Sequence, residues 1–293
     1  MGKKVSKYSI YEKIIKQIHF DNHGVMGDTQ IALLLIERYQ LGNSASLDSL
    51  RKYIGKVIDR TEIPKELKES CVDFNGGKEN ILIIGDLHEP FCRVGYLQFC
   101  KDVYNRFNCN KVIFIGDIID NHYSSYHETN PNALGGMDEL ELSIHKIKMW
   151  YNAFPVADVI IGNHDRMIMR KAQTSSIPSA WIKQYKDVLN TPNWNFVESI
   201  VYNKVLYIHG EGGTARSKMK SELHSCVQGH LHTQAYCEHL VGSNFRIFGM
   251  QVGCGIDHSS YAMAYAKASK KPAIGCSVVL ANGEMPINIL MNL

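Results

Sequence analysis

The sequence predicts an α/β domain built in layers, preceded by a small all-α domain. After residue 80, short apolar runs alternate with longer helical stretches, a pattern typical of buried strands packed against helices. Before residue 60, apolar residues instead recur with the 3.6-residue period of amphipathic helices. With 293 residues, 45% of them hydrophobic, the chain is long enough to bury one large core and one small core.

Composition argues against a membrane or exported protein. No apolar run approaches the ~18 residues of a membrane helix, and the start MGKKVSKYSIYEK lacks the apolar stretch of a secretory signal. The eight cysteines are scattered without CxxC spacing, which is typical of reduced thiols. We therefore expect a protein with no membrane partner, located in the cytoplasm, or in the host cytoplasm if the protein is viral.

Residues 1–60 predict three short helices. Their apolar faces are formed by Ile10, Ile14, Ile15 and Ile18, by Ile31, Leu34, Leu35 and Tyr39, and by Leu47, Leu50, Ile54, Val57 and Ile58. A turn with a glycine at position 42 separates the second helix from the third. This order matches a helix-turn-helix domain, whose third helix would present Ser49, Arg51, Lys52 and Lys56 to DNA.

The charge distribution favours an anionic partner only weakly. Residues 1–70 contain twelve Lys and Arg against nine Asp and Glu, so the net charge of +3 lies entirely in this part of the chain. Clustered basic charge attracts phosphates, but a solvated helical surface often has a similar excess. The alternative is that the three helices cap the rest of the protein or form a homo-oligomer interface.

A polar connector follows the helices. Residues 61–79 hold one proline and a Gly-Gly pair, which is typical of a linker. We therefore place a domain at 1–60, the linker at 61–79 and a second domain at 80–293. Helices are predicted in this second domain at 93–107, 136–153 and 178–189.

Five predicted strands of the second domain end in polar motifs. The strands are Ile81–Ile84, Val112–Ile115, Val159–Ile161, Val205–Ile208 and Cys226–Val227, and two more are predicted at Val278–Leu280 and Ile287–Leu290. The five motifs are GDLH, GDIID, GNHD, HG and GHLH. Ligands of open α/β sheets bind at the carboxyl ends of strands, so these side chains are expected to converge on one pocket.

The converging side chains predict a metal centre. Seven candidate ligands follow the five strands: Asp86, His88, Asp117, Asn163, His209, His230 and His232. Carboxylate, amide and imidazole ligands without thiolate suit divalent Mn, Fe or Zn. Each motif alone is typical of a turn or of a buried histidine, but all five in this order favour ligation. Seven ligands exceed one site, whereas two ions ~3.5–4 Å apart that share a carboxylate would use them all.

These motifs resemble those of the calcineurin-like metallophosphoesterases over residues 80–290. The resemblance implies a double-layered β-sandwich flanked by helices (an αββα arrangement) with two divalent ions, Mn first and Fe, Zn or Ni as alternatives. It also implies residue roles. Asp86, His88 and His232 would hold one ion, Asn163, His209 and His230 the other, with Asp117 bridging both, His164 beside the scissile phosphate and Asp120 orienting His164.

One branch of this family fits less well. The serine/threonine protein phosphatases have Arg-Gly after the second motif and end the third motif in Glu. Here Asn121 and His122 follow Asp120, and Asp165 ends the third motif. The motif GNHD is nearer to the nuclease and phosphodiesterase branches. The longer strings GDIIDNHYSSYHETNP and ELELSIHKIKMWYNAFP and the N-terminal helical domain resemble phosphoesterases encoded by tailed phages.

Two loops are candidates for contacts with substrate. Residues 121–136 form a long polar loop after Asp117, in which His122 and His127 could contact a phosphate or stack on a base. After His209, a glycine-containing segment ends in Arg216, which could contact a second phosphate. An ordinary surface loop with aromatic packing explains residues 121–136 equally well.

Three functions remain open at this point. The first is a metal-dependent phosphodiesterase acting on nucleic acid, with the helical domain placing DNA near the metals. The second is a phosphodiesterase or phosphatase for small molecules or nucleotides, whose helices cap or dimerise the protein. The third is a DNA-binding regulatory module with an inactive catalytic domain, and the complete ligand set argues against it.

Overall fold

The computed structural model describes residues 6–21, 26–39, 41, 46–59, 78–125, 130, 132–257, 259 and 271–292. The chain divides into two compact units, residues 1–72 and residues 73–293. The described helices are α1 (Glu12–Asp21), α2 (Asp28–Arg38), α3 (Leu47–Asp59), α4 (Tyr96–Arg106), α5 (Gly136–Ala153), α6 (Met167–Thr174), α7 (Tyr185–Val188) and α8 (Ala215–Glu222). None of them is long and apolar enough to cross a bilayer.

The first unit contains α1, α2 and α3 around their own apolar core. Ile15, Ile31, Leu35, Leu50 and Ile54 are fully buried in it, as the helical periodicity predicts. Eight residues separate Arg38 from Leu47, more than the three or four residues typical of a helix-turn-helix turn. Residues 42–45, which include the predicted turn glycine, and residues 60–77 of the predicted linker lie outside the described residues.

The second unit contains two sheets. The first has the order β11-β10-β1-β2-β3-β4, in which β1 to β4 run parallel and β10 and β11 pair antiparallel. Its strands are β1 (Ile81–Ile84), β2 (Lys111–Phe114), β3 (Ala157–Ile160), β4 (Trp194–Val197), β10 (Gly275–Leu280) and β11 (Met285–Leu290). The parallel strands direct four consecutive strand ends to one edge.

The second sheet has the order β5-β6-β7-β9-β8, in which β6, β7 and β9 run parallel. Its strands are β5 (Ser199–Tyr202), β6 (Val205–Ile208), β7 (Ser225–Gln228), β8 (Tyr236–Val241) and β9 (Arg246–Gln251). Helix α8 packs on its outer face, where Met219 is buried and Gly249 leaves room for the Ala215 carbonyl.

The two sheets stack face to face. Ile81 and Ile83 point into a core shared with Tyr207 and Met250 of the second sheet. Alternate residues such as Leu82 point to the opposite face, where the core includes residues of α4 and α5. This is the two-residue alternation of a strand buried on both faces. The predicted double-layered sandwich flanked by helices is confirmed.

Several elements differ from the sequence prediction. Strands β4, β5, β8 and β9 were not predicted. In β5 and β8, which are edge strands, exposed residues interrupt half-buried ones. In β4 and β9, polar residues or a glycine interrupt the apolar residues. The single helix predicted at 178–189 is wrong. The chain there forms a 3₁₀ turn at Ser179–Trp181, becomes extended at Ile182 and restarts as α7 at Tyr185. The seven described cysteines are free thiols.

Candidate metal centre

The predicted ligands all follow strand ends at the same edge of the sandwich. Asp86 and His88 follow β1, Asp117 follows β2, and Asn163 follows β3. From the second sheet, His209 directly follows β6, and His230 and His232 follow β7. Their shared edge results from the parallel pairing of β1, β2 and β3 and of β6 and β7.

Asp86, His88 and His232 form one cluster of metal-ligating atoms, which lie within 4.8 Å of one another. The His232 Nε2 atom lies 3.1 Å from Asp86 Oδ2 and 3.1 Å from His88 Nε2. His88 donates its Nδ1 proton to Asp120 Oδ1 over 2.7 Å. That hydrogen bond leaves the lone pair of His88 on Nε2, which is the nitrogen that faces the cluster.

Asp117, His209 and His230 form a second cluster. His209 Nε2 lies 3.2 Å from Asp117 Oδ2 and 3.0 Å from Asn163 Oδ1. His209 donates its other proton, on Nδ1, to the Ile115 carbonyl over 3.0 Å. The amide oxygen of Asn163 therefore lies beside this second cluster, the group to which the family resemblance assigns it.

Asp117 is adjacent to both clusters. Its Oδ2 atom lies 3.2 Å from His209 Nε2 in the second cluster and 3.8 Å from His88 Nε2 in the first. Its Oδ1 atom accepts the backbone N–H of His164 over 2.8 Å. Asp117 thus has close contacts to predicted ligands on both sides.

The local charges keep the carboxylates ionised. Burial raises the pKa of Asp117, but the surrounding His209, His164 and His88 outweigh burial and hold that pKa well below its usual range. Burial lowers the pKa of His209, yet Asp117 and Asp86 raise it to about 10. A divalent cation bound among these atoms would replace the proton on His209 Nε2.

The residues present fit a divalent metal. Asp86 Oδ1 is buried and has no hydrogen-bond partner among the described residues, although a buried carboxylate oxygen normally has one. The donor set is carboxylate, amide and imidazole, which suits first-row divalent ions. The Nδ1 hydrogen bonds of His88 and His209 fix both rings with Nε2 facing inward, as metal-bound histidines require.

His164 lies beside the metal ligands, but its contact with Asp120 differs from the prediction. His164 Nδ1 donates to the backbone carbonyl of Asp120 over 2.7 Å, and the nearest Asp120 carboxylate oxygen is 3.5 Å away. That carboxylate oxygen instead accepts the His88 Nδ1 proton. Asp120 therefore orients two histidines, using its carboxylate for His88 and its main chain for His164.

Close packing at the strand ends explains why glycines precede the ligands. A Cβ atom on Gly162 would lie 2.1 Å from Asp117 Oδ1, and one on Gly229 would lie 2.4 Å from Asp86 Oδ1. Both contacts are far shorter than van der Waals contact. Asp117 and His88 also adopt left-handed backbone conformations, with φ of 48° and 50°, which non-glycine residues adopt uncommonly.

The sequence analysis assigned no function to two residues near the site, Asp165 and Asn121. Asp165 is buried, and its carboxylate accepts the backbone N–H groups of Gly162 and Ile118 over 2.8 and 3.1 Å, which ties the third motif to the second. Asn121 donates its side-chain amide to the His164 carbonyl over 2.9 Å. Asp165 closes the GNHD motif, so its position was visible in the sequence, whereas Asn121 carried no signal.

The two predicted substrate residues that the structure describes, His122 and Arg216, both have contacts within the protein. His122 is buried, and its Nε2 atom accepts the backbone N–H of Asn130 over 3.2 Å. Arg216 forms an ion pair with Glu238, and its guanidinium lies 5.0 Å from the centre of the Tyr236 ring. Both side chains have structural contacts that compete with a direct contact to substrate. His127 lies outside the described residues.

A family model agrees with this geometry. The model described as calcineurin-like phosphoesterase matches residues 79–240, which is more than half of the chain. The chain belongs to the calcineurin-like phosphoesterases. Family membership makes it a metal-dependent hydrolase of phosphoesters, and the two clusters are its candidate metal ligands.

Several solved structures are similar to this chain at low sequence identity. Vacuolar Protein Sorting 29 from Cryptosporidium parvum is 14% identical, with a TM-score of 0.41, over 74% of this chain and 92% of that chain. The E. coli phosphoesterase Yfce is 11% identical, with a TM-score of 0.34, over 73% and 100%. The Pseudomonas putida nuclease MPE is 15% identical, with a TM-score of 0.29, over 71% and 87%. No curated protein matches the chain by sequence.

We predict that Gly229→Ala lowers the metal content of the calcineurin-like centre. The added methyl group would displace Asp86, because its carboxylate oxygen lies 2.4 Å from the new Cβ position. Elemental analysis of protein dialysed against Mn²⁺ measures the decrease. Gly27→Ala is the matched control, since none of the described residues lies within 4 Å of a Cβ at that position. Equal metal content in the two variants would contradict the packing argument.

Proposed function

We propose that the chain hydrolyses phosphodiester bonds in nucleic acid at a centre of two divalent ions. The position of Asp117 supports two ions rather than one, because its carboxylate is close to His209 on one side and to His88 on the other. A carboxylate shared in this way is the usual bridge of two-metal hydrolases. Asp86, His88 and His232 would hold one ion, and Asn163, His209 and His230 the other.

Mn²⁺ is the first candidate for both ions, and Fe, Zn and Ni are the alternatives. The ligands are carboxylate oxygen, amide oxygen and imidazole nitrogen, a mixed set that Mn²⁺ and Fe²⁺ accept readily. No thiolate is among these ligands. Two bound divalent ions supply Lewis acidity at neutral pH, which lowers the pKa of water and neutralises the phosphate charge.

The protein's own groups then position the phosphate and transfer a proton. His164 is held at both ends: its backbone N–H donates to Asp117 Oδ1, and its Nδ1 donates to the Asp120 carbonyl. These two contacts leave Nε2 of His164 to protonate the leaving alkoxide, which is the general-acid role. No covalent intermediate on the protein is required.

The helical unit would bring DNA to this centre. Ser49, Arg51, Lys52 and Lys56 are all exposed on α3, and such a basic helix face can neutralise phosphates. Two of its three cations already have an acidic partner. Asp48 lies 2.9 Å from Arg51 and 2.8 Å from Lys52, so DNA would have to compete with these exposed ion pairs, which are weak.

The pairing of Asp48 also favours the alternative function. If Arg51 and Lys52 stabilise α3 through Asp48 and do not bind DNA, the helical unit is a cap or a homo-oligomer interface. The substrate is then a small phosphodiester or a nucleotide. The two proposals agree on the metal chemistry and differ in whether the wild-type chain binds DNA.

The Asp117→Asn variant tests the shared carboxylate. Because Asp117 contacts ligands of both clusters, we expect this substitution to lower the metal content from about two ions to below one. Elemental analysis measures the content. Asp158→Asn is the control, since Asp158 is a buried carboxylate whose partners, Asn195 and Tyr202, lie outside the two clusters. A wild-type protein with one ion, unchanged by Asp117→Asn, would contradict the two-ion centre.

The His164→Ala variant tests the general acid. Removal of the ring should lower kcat by roughly 10²- to 10⁴-fold and leave the metal content intact, because the neighbouring ligand Asn163 is untouched. Kinetics on diesters with alcohol and nitrophenol leaving groups measure the effect. The nitrophenol needs no proton, so its kcat should fall less. A variant that loses metal would make His164 a ligand instead.

The DNA proposal is tested with the triple variant Arg51→Ala, Lys52→Ala, Lys56→Ala. It should bind duplex DNA more weakly, and the log–log salt slope should fall by about 0.9 for each phosphate that the variant no longer neutralises. Hydrolysis of a small chromogenic diester should not change. Asp48→Asn is the reciprocal variant, and it should strengthen binding because it releases Arg51 and Lys52. Wild-type protein without DNA affinity at low salt would favour the small-molecule alternative.

A further inference from the structure

A basic segment follows the third motif directly. Residues 166–186 contain five cations, Arg166, Arg170, Lys171, Lys183 and Lys186, and no acidic residue. The rest of residues 71–293 contains fifteen cations and twenty anions, because this part of the chain as a whole contains twenty of each. A run of one sign is a local source of positive potential, which attracts polyanions.

The segment also exposes a large aromatic ring. Trp181 is 81% exposed, whereas the other two tryptophans, Trp150 and Trp194, are 2% exposed. Tryptophan is enriched at binding interfaces, and an exposed indole offers a flat surface on which a base can stack. Lys183 and Lys186, on the same stretch of chain, are exposed as well. Within the ranges that the structure describes, neither lysine forms an ion pair with a carboxylate, whereas Arg166 is paired with Glu211 and Glu198.

A groove of about 910 Å³ lies between this segment and the strand β4. We call it the basic groove. Its lining contains Lys183 and Lys186, the polar side chains of Ser179, Gln184, Asn193 and Asn195, and, among the described residues, no acidic side chain. Tyr185 and Phe196, which also line it, stack with ring centres 5.5 Å apart. The groove therefore combines cations, hydrogen-bonding groups and aromatic surface.

A smaller cavity adjoins the basic groove and reaches loops that also carry candidate site residues. This cavity, of about 190 Å³, shares Met169, Ile182, Lys183 and Tyr185 with the groove. That smaller cavity is also lined by Ile119, Asn121 and Asp165. These residues are neighbours of Asp120 and His164 in the chain, and Asn121 holds the His164 carbonyl. The two cavities thus connect the exposed lysines to the loops that carry the proposed general acid.

We propose that the basic groove binds a single-stranded segment of nucleic acid beside the metal centre. Trp181 stacks on an unpaired base, and Lys183 and Lys186 neutralise phosphates of the strand. This assignment rests on the proposed phosphodiesterase function and adds a substrate class to it. Base stacking on an exposed indole requires a base that is free of its partner strand, and cations beside an aromatic ring are the usual single-strand platform.

The test compares two variants of the full chain, Trp181→Ala and the double variant Lys183→Gln, Lys186→Gln. The probe is a fluorescein-labelled, hydrolysis-resistant phosphorothioate ten-mer of thymidine, titrated in Mn²⁺. Trp181→Ala should raise Kd by about 5- to 150-fold, the range for removal of one stacked base. The double lysine variant should reduce the log–log salt slope by about 1.4, or 0.7 for each phosphate.

Matched control variants show whether binding needs these particular residues or only any exposed aromatic ring or positive charge. Phe245→Ala removes another exposed aromatic ring, 48% exposed, and the double variant Lys101→Gln, Lys148→Gln removes two exposed lysines from α4 and α5. Both controls should bind the strand as the wild type does. Hydrolysis of a small chromogenic diester should be equal in all variants. Quenching of tryptophan fluorescence by the same strand without its label should decrease in Trp181→Ala, because Trp181 is 81% exposed whereas Trp150 and Trp194 are 2% exposed.

The outcomes distinguish this proposal from the proposed function. If the wild type hydrolyses the small diester but the Trp181 and lysine variants bind the strand normally, the groove proposal is overturned. The proposed phosphodiesterase activity is then still supported. If the strand binds through Trp181 but no phosphodiester is hydrolysed with any divalent metal, the proposed function fails and the groove stands. Equal weakening by the groove variants and the controls would mean nonspecific attraction and would overturn the groove.

Discussion

The arrangement of the site depends on the buried carboxylate of Asp117. Its two oxygens are 2.8 Å from the His164 backbone nitrogen and 3.2 Å from His209 Nε2. A carboxylate buried without compensating charge would be protonated or would destabilise the fold. The imidazoles around Asp117 remove that penalty and hold its pKa well below the usual range. The loops after β1, β2, β3 and β6 must therefore meet at one point.

The architecture of the sandwich meets this requirement. Parallel strands in both sheets end at the same edge, and the short loops after them carry all seven predicted ligands. Such close convergence leaves little space for side chains between the loops. Gly162 is next to the Asp117 carboxylate and Gly229 next to the Asp86 carboxylate, where a Cβ would overlap the oxygens. The glycines of the motifs are therefore a packing requirement of the metal site.

Basic residues lie in two different environments. On α3, Arg51 and Lys52 share the carboxylate of Asp48, so much of their charge is compensated locally. In the segment 166–186, Lys183 and Lys186 line a groove whose described residues include no acidic side chain, close in the chain to an exposed Trp181. A polyanion gains more from cations that have no competing partner. The pairing therefore favours the basic groove over the face of α3 as the place for the proposed phosphate contacts.

The sequence by itself determined the layered fold and the three N-terminal helices, because strands buried on both faces produce continuous apolar runs and amphipathic helices produce a 3.6-residue period. It also predicted which side chains converge, because each candidate ligand follows an apolar run. It did not predict β5 and β8, whose half-exposed residues carry no such signal. Only the tertiary structure decided that the Asp120 carboxylate contacts His88 rather than His164, that His122 is buried and that the basic groove exists. These facts depend on distances between residues far apart in the chain, which local patterns of hydrophobicity and charge do not encode.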